Sequence, residues 1–551
     1  MEPESAPECY PISTVPGTTA LFRDYAEPAA SGHEADLCRW YPTDPFSMHW
    51  SQTAPVLEQP HLAKLTDALL RQTDRFDSSG AVLANIERLK NGAAAVVTGQ
   101  QVGLFGGPLL TLLKAATAIR KAQDATRLSG REHVPVFWLA SEDHDLAEVD
   151  QVSLLSKSAV EKLTLGLDAH KALPVGSRIL GDRTDEGRHR LEAELDRACE
   201  LLQHAPICDL LRECYAPGAT LAGAFGRLLT KVFAPFGLVV MDSATRDFHA
   251  LGATTLCAAI EQADELEALL LARSRELEAD GYHAQVLITA GHSLLFLVDA
   301  ETGARLPLRR NENGWRAGAQ TYSSADLLAI LDAEPERLSP NALLRPVFQD
   351  TILPTAAYIG GPAEIAYFAQ SAVVYDRILG RITPVLPRLS ATLVEPAIAT
   401  TLAAHEVSFA QILEAKTPDA LALRLGARAM PIEAKRKLAA AGNAMDTELT
   451  ALTEYMTAMS ADLGRAAGVS VSKMRYQMAR LRRMAANFEL QKQASLNKHA
   501  TAIMLNLLPA GHLQERVLAG IGFLAQHGDT LPALLVEQAA QECPGHRLIY
   551  L

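Results

Sequence analysis

A chain of 551 residues is long enough for about three domains and for a core that needs no covalent staples. Hydrophobic residues make up 48% and charged residues 21%, the balance of an ordinary globular protein. The net charge of −13 argues against a general nucleic-acid binder and against adhesion to an anionic membrane, since both ask for a basic face.

Met1-Glu2-Pro3-Glu4-Ser5 has neither the basic start nor the apolar run of a signal peptide. Apolar runs such as Val134–Ala140 are too short to cross a bilayer. The seven cysteines (Cys9, Cys38, Cys199, Cys208, Cys214, Cys257, Cys543) are odd in number, irregular in spacing and free of any C-x-x-C. Free thiols in a reducing cytoplasm are therefore expected, with no disulfide framework and no zinc site.

Residues 1–90 read as an N-terminal cap, with helical periodicity through Leu62–Leu70 and Val82–Leu89. A βα unit follows. Ala93–Thr98 reads as a buried parallel strand, Thr98–Pro108 as a Gly-rich turn, and Leu109–Ala122 as a helix with Pro108 in its first turn. Val134–Ala140 is a second strand, closed by Ser141-Glu142-Asp143-His144-Asp145. Leu238–Met241, Thr355–Ile359 and Pro384–Leu389 continue the series, with a helix from Ala363 after Gly360-Gly361-Pro362. Strands alternating with helices predict an α/β fold, a doubly wound parallel sheet with helices on both faces.

Two stretches break the alternation. Residues 151–185 predict a small β-containing insertion. Residues 282–318 predict short strands at Gln285–Thr289, Leu294–Val298 and Arg305–Leu308, with turns at Asn311–Gly314. Both are expected to fold over the edge or mouth of the sheet. Further on, Met445, Leu449, Leu452, Met456, Met459 and Leu463 form one heptad seam. After Gly468, Val471, Met474, Met478, Leu481, Ala485 and Phe488 form another. Together they predict an antiparallel helical hairpin turned at a glycine, or else two amphipathic helices packed on the core.

Ligands of open α/β sheets sit beyond the carboxyl ends of the strands, and three segments lie there. In Thr98–Pro108, Gly99, Gly103, Gly106 and Gly107 allow close backbone approach, and Gln100 and Gln101 add neutral donors and acceptors. The helix start behind them favours an anion. A tight structural turn is the alternative. In Ser141–Asp145, three carboxylates crowd one imidazole, which suits acid–base chemistry by Asp143, His144 and Asp145, or a divalent ion such as Mg²⁺. A solvated turn capping the next helix is the alternative. In Ser339–Gln370, Asn341, Arg345, Gln349 and Asp350 precede a strand and a second Gly-Gly-Pro turn, Gly360-Gly361-Pro362, with Glu364 in the helix it opens. Arg345 would clamp a carboxylate or phosphate, or else form a structural salt bridge.

These segments carry a resemblance. V-T-G-Q-Q-V-G-L-F-G-G-P-L at 97–109, P-V-F-W-L-A-S-E-D-H-D at 135–145 and S-P-N-A-L-L-R-P-V-F-Q-D-T-I-L-P-T-A-A-Y-I-G-G-P-A-E-I-A-Y at 339–367 resemble the cysteine ligase family of bacillithiol biosynthesis. So do L-P-R-L-S-A-T at 386–392 and L-P-A-G-H-L-Q-E-R at 508–516. The family often carries Thr where this chain has Gly106.

The resemblance implies a Rossmann-like core with connecting-peptide insertions and a C-terminal coiled coil that supports a homodimer. It places the core at 1–395, with insertions near 151–185 and 282–336, the helical domain at 396–505, and at 506–551 a segment packing back on the core. It implies amide formation between L-cysteine and glucosaminyl-malate with ATP activation through an adenylated cysteine. It also implies an adenine nucleotide, ATP or ADP, near the coiled coil, which would bring in Leu386, Pro387, Arg388 and Arg516. The segment 473–498 has seven basic side chains against Glu489 alone. It reads as a solvated helix face or as an anion site. Two rivals to the ligase stand beside it: a nucleotide-binding assembly protein whose pocket is regulatory, and a metal-dependent hydrolase using Glu142–Asp145.

Overall fold

The computed structural model describes residues 8–27, 37, 39–44, 46–167, 172–181, 185–311, 314–540 and 543–551. By contact the chain divides into two units. One comprises Met1–Ser156, Val160–Thr392 and Glu515–Ile549, the other Lys157–Ala159, Leu393–Gln514 and Tyr550–Leu551.

The first unit is organised by strand β1 (Ala94–Gln101), helix α1 (Leu110–Ser129), β2 (His133–Ala140) and β3 (Val239–Asp242). A run of short strands then intervenes: β4 (His292–Val298), β5 (Arg305–Asn311), β6 (Gly314–Ala317), β7 (Gln320–Tyr322) and β8 (Leu338–Pro340). Helix α2 (Arg345–Ile352), β9 (Thr355–Gly360), α3 (Pro362–Leu379) and β10 (Val385–Pro387) complete it. Strands β10-β9-β1-β2-β3, in that spatial order, form one all-parallel sheet.

The chain lays β1, β2 and β3 outward in one direction, then returns to place β9 on the other side of β1. That reversal opens a crevice beyond the carboxyl ends of β1 and β9, where open α/β sheets hold their ligands. The strands are buried along their length, as parallel strands covered by helices must be. Pro135 is tolerated inside β2 because pairing with β3 begins only at Val136, so its missing N–H leaves no ladder bond unmade.

Strands β7-β6-β5-β4-β8 form a second, antiparallel sheet. The strand expected at Gln285–Thr289 does not form. Val286 instead bonds through both its N–H and its C=O to the side chain of Gln370, at 2.8 and 2.9 Å, so its backbone needs no partner strand. Asn311 pairs with Gly314 across the expected turn, while 312–313 lie outside the described residues. The insertion near 151–185 contributes one antiparallel pair, Val152–Leu155 with Val160–Leu163. Residues 168–171 and 182–184 of it lie outside the described residues.

The expectation of free thiols fails at two positions. Cys9 and Cys543 form a disulfide, with Cα atoms 5.9 Å apart. Strand Cys9–Tyr10 pairs antiparallel with His546–Tyr550, which brings together cysteines 534 residues apart in sequence. No local spacing could announce that pairing. Cys199, Cys208, Cys214 and Cys257 are free thiols, and Cys38 lies outside the described residues. Among the described residues no helix is long and apolar enough to cross a membrane.

The second unit holds the hairpin of α4 (Ile432–Met459) and α5 (Ala461–Lys492), which pack along each other. The turn falls at Ser460, in extended backbone, and not at Gly468, which lies inside α5. The glycine nearest the turn, Gly464, serves close packing: a Cβ there would meet Thr457 Cα at 2.9 Å. Leu463, expected on the first seam, therefore belongs to the second helix. Arg475 pairs with Asp446 at 2.8 Å, and Arg483 and Lys492 lie over Tyr476 and Phe488. Those contacts suit a solvated basic face.

Candidate active site

The crevice at the strand reversal is a cavity of about 690 Å³, within the size range of small-molecule sites. Its walls come from the ends of β1, β2 and β9 and from the antiparallel sheet.

Strand β1 runs on through Gln101, so Thr98–Gln101 are strand residues and not part of a loop. Thr98 is buried, its hydroxyl donating to Ile359 O at 2.9 Å. Gly99 is needed for closeness: a Cβ there would meet Trp138 O at 2.9 Å. Gly99, Gln100 and Gln101 face the cavity.

From Val102 onward the segment turns inward. Val102, Leu104 and Phe105 are buried. Gly106 N–H donates to the Tyr215 hydroxyl, which donates to Gly103 O, both at 2.9 Å. Leu109 N–H donates to Leu518 O at 2.8 Å. The N–H groups at Gly106 and Leu109 are thus committed to protein acceptors. Gly106 and Gly107 take left-handed backbone, φ +84° and +67°, which glycine adopts without strain. Gly103, Gly106 and Gly107 do not line the cavity. Of the segment expected to cradle a phosphate, only Gly99, Gln100 and Gln101 line the cavity.

Beneath the end of β1 lies Lys114 on α1. Its Nζ donates to Gly99 O at 2.6 Å and Gln100 Oε1 at 3.0 Å, and reaches Glu364 Oε2 at 2.5 Å. Burial pushes the Lys114 pKa down, against the pull of the Glu364 carboxylate. For Glu364, burial is outweighed by Lys114 and the carboxyl sits below its ordinary value.

The end of β2 carries the acidic turn. Ser141 Oγ donates to Asp242 Oδ1 at 2.5 Å, and Arg75 holds Oδ2 at 2.8 Å, which ties β2 to β3. Asp143 accepts from Gln101 Nε2 at 2.5 Å and from the His144 N–H at 2.7 Å. Val175 N–H buttresses the turn at Asp143 O. Glu142 faces the cavity with the fully buried His249 behind it, 2.9 Å away. Burial alone would lower the His249 pKa; the Glu142 carboxylate reverses that and raises it. Asp145 turns away, caps the helix Leu146–Val149 and does not line the cavity. For this residue the helix-capping alternative is correct.

The third wall is the second Gly-Gly-Pro turn. Glu364 accepts from Gly361 N–H at 2.7 Å and from the Tyr358 hydroxyl at 2.5 Å. Arg345 stacks on Tyr358, its carbon 5.3 Å from the ring centre, and donates to Gln349 Oε1 at 3.1 Å and the Tyr367 hydroxyl at 2.9 Å. Those bonds go to neutral groups, so the salt-bridge alternative for Arg345 does not hold. The hydroxyls of Tyr367 and Tyr358, and then Glu364, keep it charged against burial. Arg388 is bound at both guanidinium ends by the buried Glu515, at 2.7 and 3.0 Å. Burial lowers the pKa of Arg516, which also lines the cavity.

One cavity therefore gathers Gly99, Gln100, Gln101, Asp143, His144, Arg345, Gly361, Glu364, Arg388 and Arg516. It leaves out Asp350, which accepts from Tyr375 at 2.6 Å in the core, and Gly360, Leu386 and Pro387, which continue the sheet. Lys114, Tyr358, Tyr367, Arg305 and the His249 behind Glu142 were not among the expected site residues. Lys114 alone left a trace, as one cation in the apolar run Leu109–Ala118. Among the described residues no group of three His, Cys, Asp or Glu is placed to hold a metal.

Two family models cover the chain: the N-terminal Rossmann-like domain of bacillithiol biosynthesis BshC over residues 10–389, and the C-terminal coiled-coil domain of BshC over residues 391–551. A protein of Koribacter versatilis (strain Ellin345), provisionally named cysteine ligase BshC, is 42% identical over 98% of this chain and 99% of its own length. Those of the same provisional name from Solibacter usitatus (strain Ellin6076) and Salinibacter ruber (strain DSM 13855 / M31) are 34% and 33% identical. They span 98% and 86% of this chain, and 99% and 85% of their own lengths.

Proposed function

The chain belongs to the BshC family of bacillithiol biosynthesis, and we propose that it is a ligase joining L-cysteine to the amine of glucosaminyl-malate at the expense of ATP. The observation that carries this is the charge pattern of one cavity. Arg345, hydrogen-bonded to neutral groups, shares it with the carboxylates Glu142 and Asp143. Both proposed substrates carry carboxylate and ammonium groups, and such a site can orient each by its charged ends.

An amine does not displace hydroxide from a free carboxylate at neutral pH, so the acid must first be activated. The cysteine carboxylate attacks the α-phosphorus of ATP and pyrophosphate leaves. The amine then attacks the cysteinyl carbonyl, the bond to AMP breaks, and the amine's proton passes to the Asp143 carboxylate. Arg345 and Arg516 supply the positive surface for phosphates and carboxylates, since Lys114 and Arg388 are paired with Glu364 and Glu515. Backbone N–H groups of the first turn do not, because those at Gly106 and Leu109 are taken. Mg²⁺ would enter with the triphosphate. Enzyme incubated with cysteine, glucosaminyl-malate and ATP should give the amide, AMP and pyrophosphate by mass spectrometry. Absence of the amide together with unaltered thiol pools in a deletion strain would overturn the reading.

We also propose that the protein acts as a homodimer through its hairpin. Met474, Leu481 and Phe488 recur at heptad spacing on α5 and are exposed, an apolar stripe suited to another helix. Light scattering should give twice the chain mass. A monomer at micromolar concentration would contradict this.

A further inference from the structure

Arg305 belongs to no motif and comes from the antiparallel sheet, yet its side chain lines the catalytic cavity beside the acidic turn. It is buried and held on every side. Nε donates to Ser339 Oγ and Nη2 to Pro340 O, each at 2.9 Å, and the guanidinium carbon lies 3.7 Å from the centre of the Phe296 ring. The remaining end, Nη1, stands 3.3 Å from His144 Nδ1.

A guanidinium has five N–H donors and no acceptor. A hydrogen bond between Arg305 and His144 therefore requires Nδ1 to present a lone pair. The competing partner of Nδ1, Asp143 Oδ1, is 3.6 Å away, beyond hydrogen-bond reach. Both Asp143 oxygens are already engaged, by the His144 N–H and by Gln101. A second cation on His144 would face the Arg305 charge at contact distance. With Nδ1 unprotonated, the ring's proton is on Nε2.

We propose that Arg305 is a positioning residue that holds His144 as the neutral imidazole protonated at Nε2, so that His144 donates a hydrogen bond to the reacting substrate instead of accepting a proton from it. This rests on the reading of the cavity as the catalytic site, and it assigns the two neighbours opposite tasks. Asp143 receives the amine's proton. His144 Nε2–H stabilises the acyl oxygen as it gains negative charge, the task of an oxyanion donor. The proton stays on Nε2 throughout.

Long-range ¹H–¹⁵N spectra of ¹⁵N-histidine-labelled full-length protein test it, with His144→Ala identifying the resonances. The wild type should show a protonated Nε2 and an unprotonated Nδ1 at His144. Folded Arg305→Met should lose that single form. A wild-type ring protonated at Nδ1, or at both nitrogens, would overturn the proposal, as would an unchanged tautomer in Arg305→Met. Activity gives a second reading, because a glutamine amide donates from near the Nε2 position but cannot serve as a base. His144→Gln should stay within about tenfold of wild type while His144→Ala falls by ~10²–10³. Equal losses in the two would overturn it. If the wild type makes no amide at all, the functional reading fails, and the tautomer spectra still decide the role of Arg305.

Discussion

The chain contains two turns with the same spelling, a strand followed by Gly-Gly-Pro and a helix, and they do different work. In the first, Gly106-Gly107-Pro108, the glycines are tied to Tyr215 and the neighbouring chain, away from the cavity. In the second, Gly360-Gly361-Pro362, Gly361 and Glu364 line it. The difference lies in what surrounds the glycines. The first turn follows three apolar side chains, Val102, Leu104 and Phe105, that draw it into the core. The second follows its strand directly and carries Glu364 at the third helical position, where it accepts from Gly361 and Tyr358. A glycine pair permits close approach; the neighbouring side chains decide to what.

The strongest way to break the contrast is at Lys114, which joins the end of β1 to Glu364. Lys114→Met leaves the half-buried Glu364 carboxylate without its cation and should cost about 2–4 kcal/mol, read by urea unfolding. Lys114→Met with Glu364→Gln should recover part of that loss. If the single variant is as stable as wild type, the pair does not join the two turns.

A smaller effect is expected at the first turn. Tyr215→Phe strands the Gly106 N–H and should cost about 1–3 kcal/mol, with the KM for each substrate unchanged. A raised KM would return that turn to the binding site.

The smallest effect sharpens the contrast from outside both turns. Against burial, which lowers it, the Glu142 carboxylate holds the folded pKa of His249 above the ordinary histidine value. The stability drawn from Glu142 is then fully present below that value and is lost as pH rises through the folded pKa. In Glu142→Gln, His249 loses the carboxylate that offsets its burial, and its pKa falls. The gap in melting temperature between wild type and variant should be widest below the ordinary histidine pKa and should narrow as pH rises above it. A gap that widens with pH would contradict the pairing.

Much of the fold was legible because parallel strands announce themselves. The buried runs in β2, β9 and β10 stand out by composition, and the order of strands and helices gives the doubly wound sheet. That a cavity lies beyond the strand ends followed from topology alone. What stayed hidden depends on long-range contact. Arg305 and Ser339 come from the two strands that flank β4, Tyr215 reaches across to Gly103 and Gly106, and Cys9 and Cys543 are 534 residues apart in sequence. Asp145 misled because a carboxylate at a helix start caps as readily as it catalyses.

On the proposed function, cysteine is joined to its amine in the cavity walled by the second turn, with the first turn only supporting it. The direct measurement is amide formation by wild type, Arg345→Ala and Tyr215→Phe, each first shown to be folded at the assay temperature. The prediction is that Arg345→Ala loses at least ~100-fold in kcat/KM while Tyr215→Phe stays within about threefold. Equal losses in the two variants, or an Arg345→Ala enzyme as active as wild type, would contradict it.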